Sequence, residues 1–585
     1  MKTITDRDII INSSQNLDFS TQDSSYSPMF SIIGLEASAD TNGIGRMWLH
    51  YNRATRSVCD KLFDFPLALN REKSDICGLV FEDENSSARL AFFDRDAFVF
   101  EADGIEEVPM FCEAQSDYWI EIENEKQIKI RGYSKNTDDR DPDEKVGFTA
   151  DVKAQTGRII CSENEIKIEA ENGKISLVFF FQALEISEEK SDKIFAKEIE
   201  FFEAKKLCEK WFADCTENFS LNVNETEEEI VSTAVFGLMF NAAVGQGMLS
   251  EHISAYPSRG GYPTHFIWDT YFQNLAYEKI SPFLAGEFLL QIIANQRPDG
   301  KFPQFMCSTW ARPHDTQPAL FGWAAKRLLG IIDDRKAFIG KIVEPLERNN
   351  QWWLTQRMTK YGCIFCPSGL ETGQDDSPRF DDGATLATDM NSYLLYQLKF
   401  TAEIFDEIGN RIKADLWAEK AEKLEEKIIE NLYDKERNIF FDFSLTKNKK
   451  IDIVSPSSML PLWADVKLGN NKEKEMIESY LLNPELMFGN IPFPSIAYNE
   501  PTYDTAHWWR GPTWLPIAWL MLEILQNYGY DSEYMTAVER LHGMLIKDKE
   551  MHELFNSQTG EGMGCKQQGW TCSVFIKLCE ILNKD

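Results

Sequence analysis

Residues 187–219 read "SEEKSDKIFAKEIEFFEAKKLCEKWFADCTENF", and the chain changes character there. Apolar residues recur every three or four positions and neither Gly nor Pro interrupts them, so a helical linker is expected over 191–222. Upstream the hydrophobic period is two. In residues 118–133, "YWIEIENEKQIKIRGY", Ile120 and Ile122 alternate with acids and Ile128 and Ile130 with bases, which predicts two strands with one face buried. Residues 165–180, "EIKIEAENGKISLVFF", repeat the pattern around Asn172-Gly173, a pair that tolerates positive φ and favours a tight hairpin. A similar turn is expected at Asn42-Gly43. Many short strands with polar turns predict a β-sandwich-like domain over 1–190.

Downstream the period is helical. Residues 225–245, "ETEEEIVSTAVFGLMFNAAVG", open with acids suited to a helix start and become almost wholly apolar. Further helices are expected at 282–295, 316–329, 334–354, 383–408, 409–431, 472–482, 513–526, 534–548 and 567–582. Strands and helices do not alternate, so a TIM barrel and a doubly wound sheet are not supported. Paired helices closing into an (α/α)6 ring over 223–585 fit the count.

At 585 residues the chain exceeds one ordinary core. A net charge of −33 repels phosphate backbones and anionic lipid, so neither nucleic acid nor a membrane surface is expected as a partner. No signal peptide is expected from the first twenty residues, which hold no apolar run of the length it needs, and no membrane-spanning run is expected elsewhere. Twelve cysteines without regular spacing point to a reducing cytoplasm. The Cys363–Cys366 pair has CxxC spacing but no second pair and no nearby His, so neither a metal nor a redox role is expected. The acidic stretch 136–145 lacks the regular oxygen-ligand spacing of a calcium loop.

Five segments between helices could carry chemistry. Residues 256–278 place Trp268-Asp269 at a helix opening, either to face a sugar or as core and cap. Residues 295–323 crowd Arg312, His314, Asp315 and Gln317 before a helix, as a ligand rim or as a bonded cap. Residues 370–383, "LETGQDDSPRFDDG", bring Glu371, Asp375, Asp376 and Arg379 together; one carboxylate can pair with Arg379 while another is left unpaired in a partly dry pocket and acts as an acid. Residues 487–520 hold Trp508, Trp509, Arg510 and Trp514, a cavity wall or plain core. In residues 549–570, Glu553 ends a helix-like run, where a carboxylate opposes the macrodipole, Glu561 sits in a glycine-rich turn and Trp570 opens the last helix. Glycosidic cleavage needs two carboxylates on opposite faces of an acetal, and a closed helix ring is what would bring such distant loops together.

Four ordered motifs, "GGYPTHFIWDTYF", "SGLETGQDDSPRFD", "WWRGPTW" and "HELFNSQTGEGMG....GW", resemble the (α/α)6-barrel inverting glycoside hydrolases around family 63 glucosidases and mannosylglycerate/glucosylglycerate hydrolases, and more distantly family 37 trehalases. The resemblance covers about 225–583. It implies Asp375 as general acid, in a motif where Thr372 replaces the commoner Ser, and Glu553 as general base, with Glu561 as rival. It further implies glycone contacts from Trp268 and Asp269 and substrate-side positions for Gln317, Arg510 and Glu561, and the segments add Arg312, Glu371, Arg379, Trp508, Trp509 and Trp570 as expected substrate contacts. The implied activity is cleavage of an oligosaccharide or small α-glycoside, most commonly an α-glucoside, with no cofactor and no catalytic metal. Two other readings are a sugar epimerase using a histidine pair such as His314 and His507, and a carbohydrate-binding protein without catalysis.

Overall fold

A computed structural model describes residues 78–583 apart from short gaps and, ahead of these, the backbone of strands at 8–9, 24–26, 33–39, 45–51 and 60–66. Two seven-stranded antiparallel sheets form the N-terminal part. One runs in the order Asp117–Asn124, Gln127–Lys135, Lys145–Thr156, Lys174–Ala183, Ala97–Asp103, Ser87–Asp94, Leu79–Glu82. The other runs Arg158–Cys161, Ile166–Glu169, Glu107–Cys112, Asp60–Pro66, Gly45–Tyr51, Ile33–Ala39, Ser24–Tyr26. Leu90, Phe98 and Phe179 of the first share a core with Val108, Met110 and Ile168 of the second, as in a sandwich.

The strand "KISLVFFFQA" is apolar at nearly every position because both of its faces are covered. Leu177, Phe179 and Phe181 enter the sandwich core, while Val178 and Phe180 pack under Ile194, Phe195, Ile199, Phe201 and Ala204. Those five come from the linker, which is two helices rather than one: α1 (Glu188–Phe195), capped by Ser187, and α2 (Phe201–Thr216).

Two strand expectations need correction. Asn172 and Gly173 both take positive φ (56° and 74°), yet the turn closes only the bridge from Glu171 to Lys174. The strands on either side then part into different sheets, so the turn passes the chain between layers instead of forming a two-stranded hairpin. Ile120 does pair with Ile130 and Ile122 with Ile128, but Ile122 is 62% exposed because its strand lies at the sheet edge. On the other face Arg131 pairs with Glu121, Lys129 with Glu123, and both bases with Glu188 at the start of α1. Residues 42–43 and 136–144 lie outside the described residues.

Among the described residues twelve helices follow: α3 (Glu225–Asn241), α4 (Ile267–Ile280), α5 (Pro282–Ala294), α6 (Phe321–Leu328), α7 (Arg335–Trp352), α8 (Thr388–Glu407), α9 (Arg411–Leu432), α10 (Leu460–Trp463), α11 (Lys472–Met476), α12 (Leu515–Asn527), α13 (Asp531–Asp548) and α14 (Gly569–Leu582). The even-numbered helices form an inner ring: α4 touches α6, then α8, α10, α12 and α14 follow in turn, and α14 returns to α4. Odd-numbered helices pack outside, as α5 does on α4 and α6, and α13 on α12 and α14. This is an (α/α)6 barrel. Inner helix α4 is buried almost all round, which explains why its apolar residues show so little sidedness.

The direction of the inner helices is visible at one end of the ring. Glu523 of α12 accepts from the indole N–H groups of Trp323 (3.2 Å), Trp463 (2.7 Å) and Trp519 (2.9 Å). Arg327 of α6 joins Glu523 to Glu278 of α4, and Trp463 stacks on Tyr396 of α8. Glu278, Arg327, Trp463 and Glu523 sit in the second halves of α4, α6, α10 and α12. The inner helices therefore run in one sense, and the segments entering their N-termini gather at the opposite mouth, where the helix dipoles present positive ends. All five chemistry-bearing segments named above lie there. Among the described residues no helix is long and apolar enough to cross a membrane.

Candidate active site

The last of these segments begins where α13 ends, at the boundary expected for it, so Glu553 is not the end of a helical run. α13 stops at Asp548 with Lys549 at φ 60°, so Glu553 lies five residues beyond it, and opposition to that helix's dipole does not account for it. Instead Glu553 immediately precedes a short ladder of Leu554–Phe555 with Gly562–Met563. The ladder folds the glycine-rich turn back over the Glu553 side chain, which is 3% exposed. Its Oε2 accepts from the Cys565 backbone N–H at 3.1 Å, and the Tyr262 hydroxyl and Cys565 thiol also bond the carboxylate. The Trp570 indole N–H donates to the Glu553 carbonyl at 3.0 Å. Burial pushes the carboxyl up to about 7; charge on Asp375 adds to the rise, and the bonds from Cys565 and Tyr262 oppose it.

Asp269 stands in the first turn of α4, 5% exposed, with Gln568 Nε2 donating to its Oδ1 at 3.3 Å. Burial raises its carboxyl well above the usual range, and charge on Glu553 and then on Asp375 raises it further. Three carboxylates from three loops thus meet at the mouth of the ring, close enough for charge on Asp375 to act on both Glu553 and Asp269.

The segment carrying Asp375 is built on other partners than those expected. Arg379 is 1% exposed and pairs with Asp389 (2.7 Å) and Asp442 (2.5 Å), not with the acids of its own loop. It also donates to Gln374 Oε1 and Ser457 Oγ, which fastens the residue next to Asp375. Glu371 is fully buried and paired with Arg357 at 2.6 Å. Asp375 itself is exposed. The turn before it needs Gly373 at φ 74°, and a Cβ there would lie 3.4 Å from the Trp268 indole. Trp268 is 2% exposed, and its backbone N–H donates to Gln317 Oε1 at 2.9 Å. The Trp268-Asp269 pair is therefore packed directly against the Asp375 loop.

The aromatic wall is layered. Trp509 stacks on Trp514 at 3.9 Å, and Trp514 meets Trp570 edge-on at 5.8 Å. The Trp509 backbone N–H donates to Asp376 Oδ1 at 2.7 Å, and Arg510 pairs with Asp381 at 2.6 Å, so both tie this wall to the Asp375 loop. Trp508 remains 43% exposed. Arg312 is held by Asp315 at 2.5 Å, and Glu561 is exposed, its carbonyl accepting from the Asn556 N–H. His314 is exposed and His507 pairs with Asp504.

Sequence reasoning does not single out Tyr262, Cys565, Gln568, Arg357, Asp389 or Asp442. Tyr262 and Cys565 lie inside quoted motifs, where their neighbours dominate the reading; Asp442, in "FFDFS", carries no local signal.

Residues 262–571, more than half of the chain, match the family model described as mannosylglycerate hydrolase MGH1-like glycoside hydrolase domain. Mannosylglycerate hydrolase MGH1 of Selaginella moellendorffii is 23% identical over 402 residues, spanning 55% of this chain and 81% of that protein. The fold matches the GH63 mannosylglycerate hydrolase from Thermus thermophilus in complex with glucose with a TM-score of 0.52 at 18% identity, over 59% of this chain and 99% of that one. A bacterial glucoamylase complexed with acarbose matches with a TM-score of 0.59 at 11% identity, over 96% of this chain and 94% of that one, sheets included. The chain belongs to the MGH1-like family of glycoside hydrolases and is a glycosidase.

Proposed function

We propose that the chain hydrolyses an α-linked glycoside with inversion, Asp375 protonating the leaving oxygen and Glu553 taking a proton from the attacking water. The carrying observation is Glu553: a buried carboxylate, held by a backbone N–H, a phenol and a thiol, that senses the charge of exposed Asp375 across the mouth. Inversion requires the two carboxyls to stand about 6.5–9.5 Å apart, leaving room for the water. A base whose carboxyl sits near 7 accepts a proton more readily than an ordinary carboxylate and is still substantially ionised at neutral pH. Asp269 and Trp268 would bind the glycone, and exposed Trp508 would offer its face to the leaving group. Glu371 and Arg379, buried and paired, act through the loop they hold. The histidine-pair alternative gains nothing from His314 and His507. Among the described residues Cys161, Cys208, Cys363, Cys366, Cys565, Cys572 and Cys579 are free thiols, which suits a reducing compartment.

The relatives' activity makes α-mannosylglycerate and α-glucosylglycerate the first substrates to try, with α-disaccharides beside them. Proton NMR of the sugar first released is expected to show the β-anomer. Release of the α-anomer would reject inversion, and inertness toward the whole panel would reject the substrate class.

Gly564 tests the base geometrically. At φ 76° it faces Glu553, and an added Cβ would fall 2.5 Å from Oε2. Gly564→Ala is expected to displace the carboxylate and lower kcat by about 10²-fold, as an ångström-scale misplacement does. Unchanged kcat in a folded variant would show that this carboxylate position is immaterial.

A further inference from the structure

The ring of helices has a seam where its first helix, α3, meets its last, α14, with α13 alongside. We propose that Glu227, His542 and Cys579 at this seam form a binding site for a zinc-like divalent cation. One donor comes from each helix, and Glu227 Oε, His542 Nε2 and Cys579 Sγ all lie within 4.8 Å of one another. Carboxylate, imidazole and thiolate form a donor set that zinc accepts, whereas calcium and magnesium select oxygen alone.

Each donor is already turned toward the site. Glu227 is 2% exposed; its Oε2 accepts from the Asn224 N–H and from Asn583 Nδ2, both at 3.0 Å. Those two bonds are the outer support that orients a ligating carboxylate, and they leave Oε1 directed at His542. The His542 ring lies parallel to Phe575, one turn before Cys579 on α14, with an 11° interplanar angle. Its Nε2 is 2.8 Å from Glu227 Oε1, yet it is buried without an aligned hydrogen bond. The two atoms already form a close pair, which a cation entering between them would replace. Cys579 is a buried free thiol, held protonated by burial and by the charge on Glu227.

Around a tetrahedral zinc the donor atoms stand about 3.3–3.7 Å apart, so no pair need close by more than roughly 1 Å and the 2.8 Å Glu227–His542 pair must open slightly, both within reach of side-chain torsions. Binding converts the thiol to a zinc thiolate and releases its proton to solvent. Water takes the fourth position beside the half-buried His542. The Glu227 end of α3 and the Cys579 end of α14 lie at the Glu523 end of the ring, away from the catalytic mouth, so the cation would staple the seam and take no part in glycoside cleavage.

The full chain, stripped with EDTA and reloaded, should retain about one Zn2+ and unfold at a higher temperature than the stripped form. Co2+ loading should give a thiolate-to-metal absorption band that Cys579→Ser removes. His542→Gln, whose amide can still bond Glu227 Oε1, should lose the zinc-dependent rise in Tm while keeping full glycosidase activity. No retained zinc, an unfolding temperature indifferent to zinc, or an undiminished zinc response in His542→Gln would each overturn the site.

Discussion

Glu553→Gln is expected to lower kcat for glycoside hydrolysis by about 10²–10⁴-fold, the contribution of a positioned acid or base, with KM and thermal unfolding little changed. The amide oxygen can still accept from the Cys565 N–H, so the loop should keep its shape, but an amide cannot take a proton from water. Asp375→Asn should lose a similar factor on ordinary glycosides for a different reason, because the leaving oxygen is no longer protonated. The two variants then separate on substrates that need no such help. A glycosyl fluoride or an acidic aryl glycoside should restore turnover to Asp375→Asn and leave Glu553→Gln inactive. The wild-type pH profile follows from the environment of Glu553. Below about 7 its carboxyl is protonated and cannot act as base, so kcat/KM should rise as pH increases through that value. An ordinary carboxylate acting as the base would put the rise near 4–5 instead. Loss of activity in Glu561→Gln with activity kept in Glu553→Gln would transfer the role to Glu561.

The change of period near residue 191 is enough to divide sheet from helix, and the order of the motifs is enough to name the ring. Periodicity sees which residues are buried, and an inner helix buried all round differs visibly from a strand with one polar face. It does not see what a polar residue is buried against. Arg379 and Asp375 lie four positions apart in one motif, and proximity in sequence suggests proximity in charge. The barrel instead supplies Asp389 and Asp442, the latter 63 residues on, and only the closed ring brings them to the guanidinium. Glu553 shows the same limit in another form. Local pattern makes Glu553 look like the end of a helical run, whereas α13 stops five residues before it and the following ladder folds a glycine and a cysteine N–H over the carboxylate. The Asn172-Gly173 turn is legible in its dihedral angles and illegible in its destination, because φ sets the turn and the two sheets decide where each strand goes.

Arg379→Met should destabilise the protein by about 3–5 kcal/mol, the cost of breaking a buried ion pair from one side. The guanidinium is 1% exposed and serves four acceptors: Asp389, Asp442, Gln374 and Ser457. Its removal leaves Asp389 and Asp442 as buried charges with only neutral donors, the Thr388 N–H and hydroxyl on one and Ser457, Gln374 and the Met390 N–H on the other. Arg379→Lys keeps the charge but not the planar fork, so it can serve one carboxylate well and should fall between wild type and Met. Asp442→Asn in the Arg379→Met background removes one stranded charge and should recover part of the loss, since the residues share a network and their effects cannot add. Activity should fall with stability in the single variant, because Gln374, next to Asp375, loses its guanidinium donor. Thermal unfolding of the series, with kcat and KM measured well below each midpoint, separates this support from direct substrate contact. A contact with sugar would raise KM and leave the unfolding temperature where it was; a buried anchor lowers the unfolding temperature first, and with it the fraction of molecules whose acid is in place.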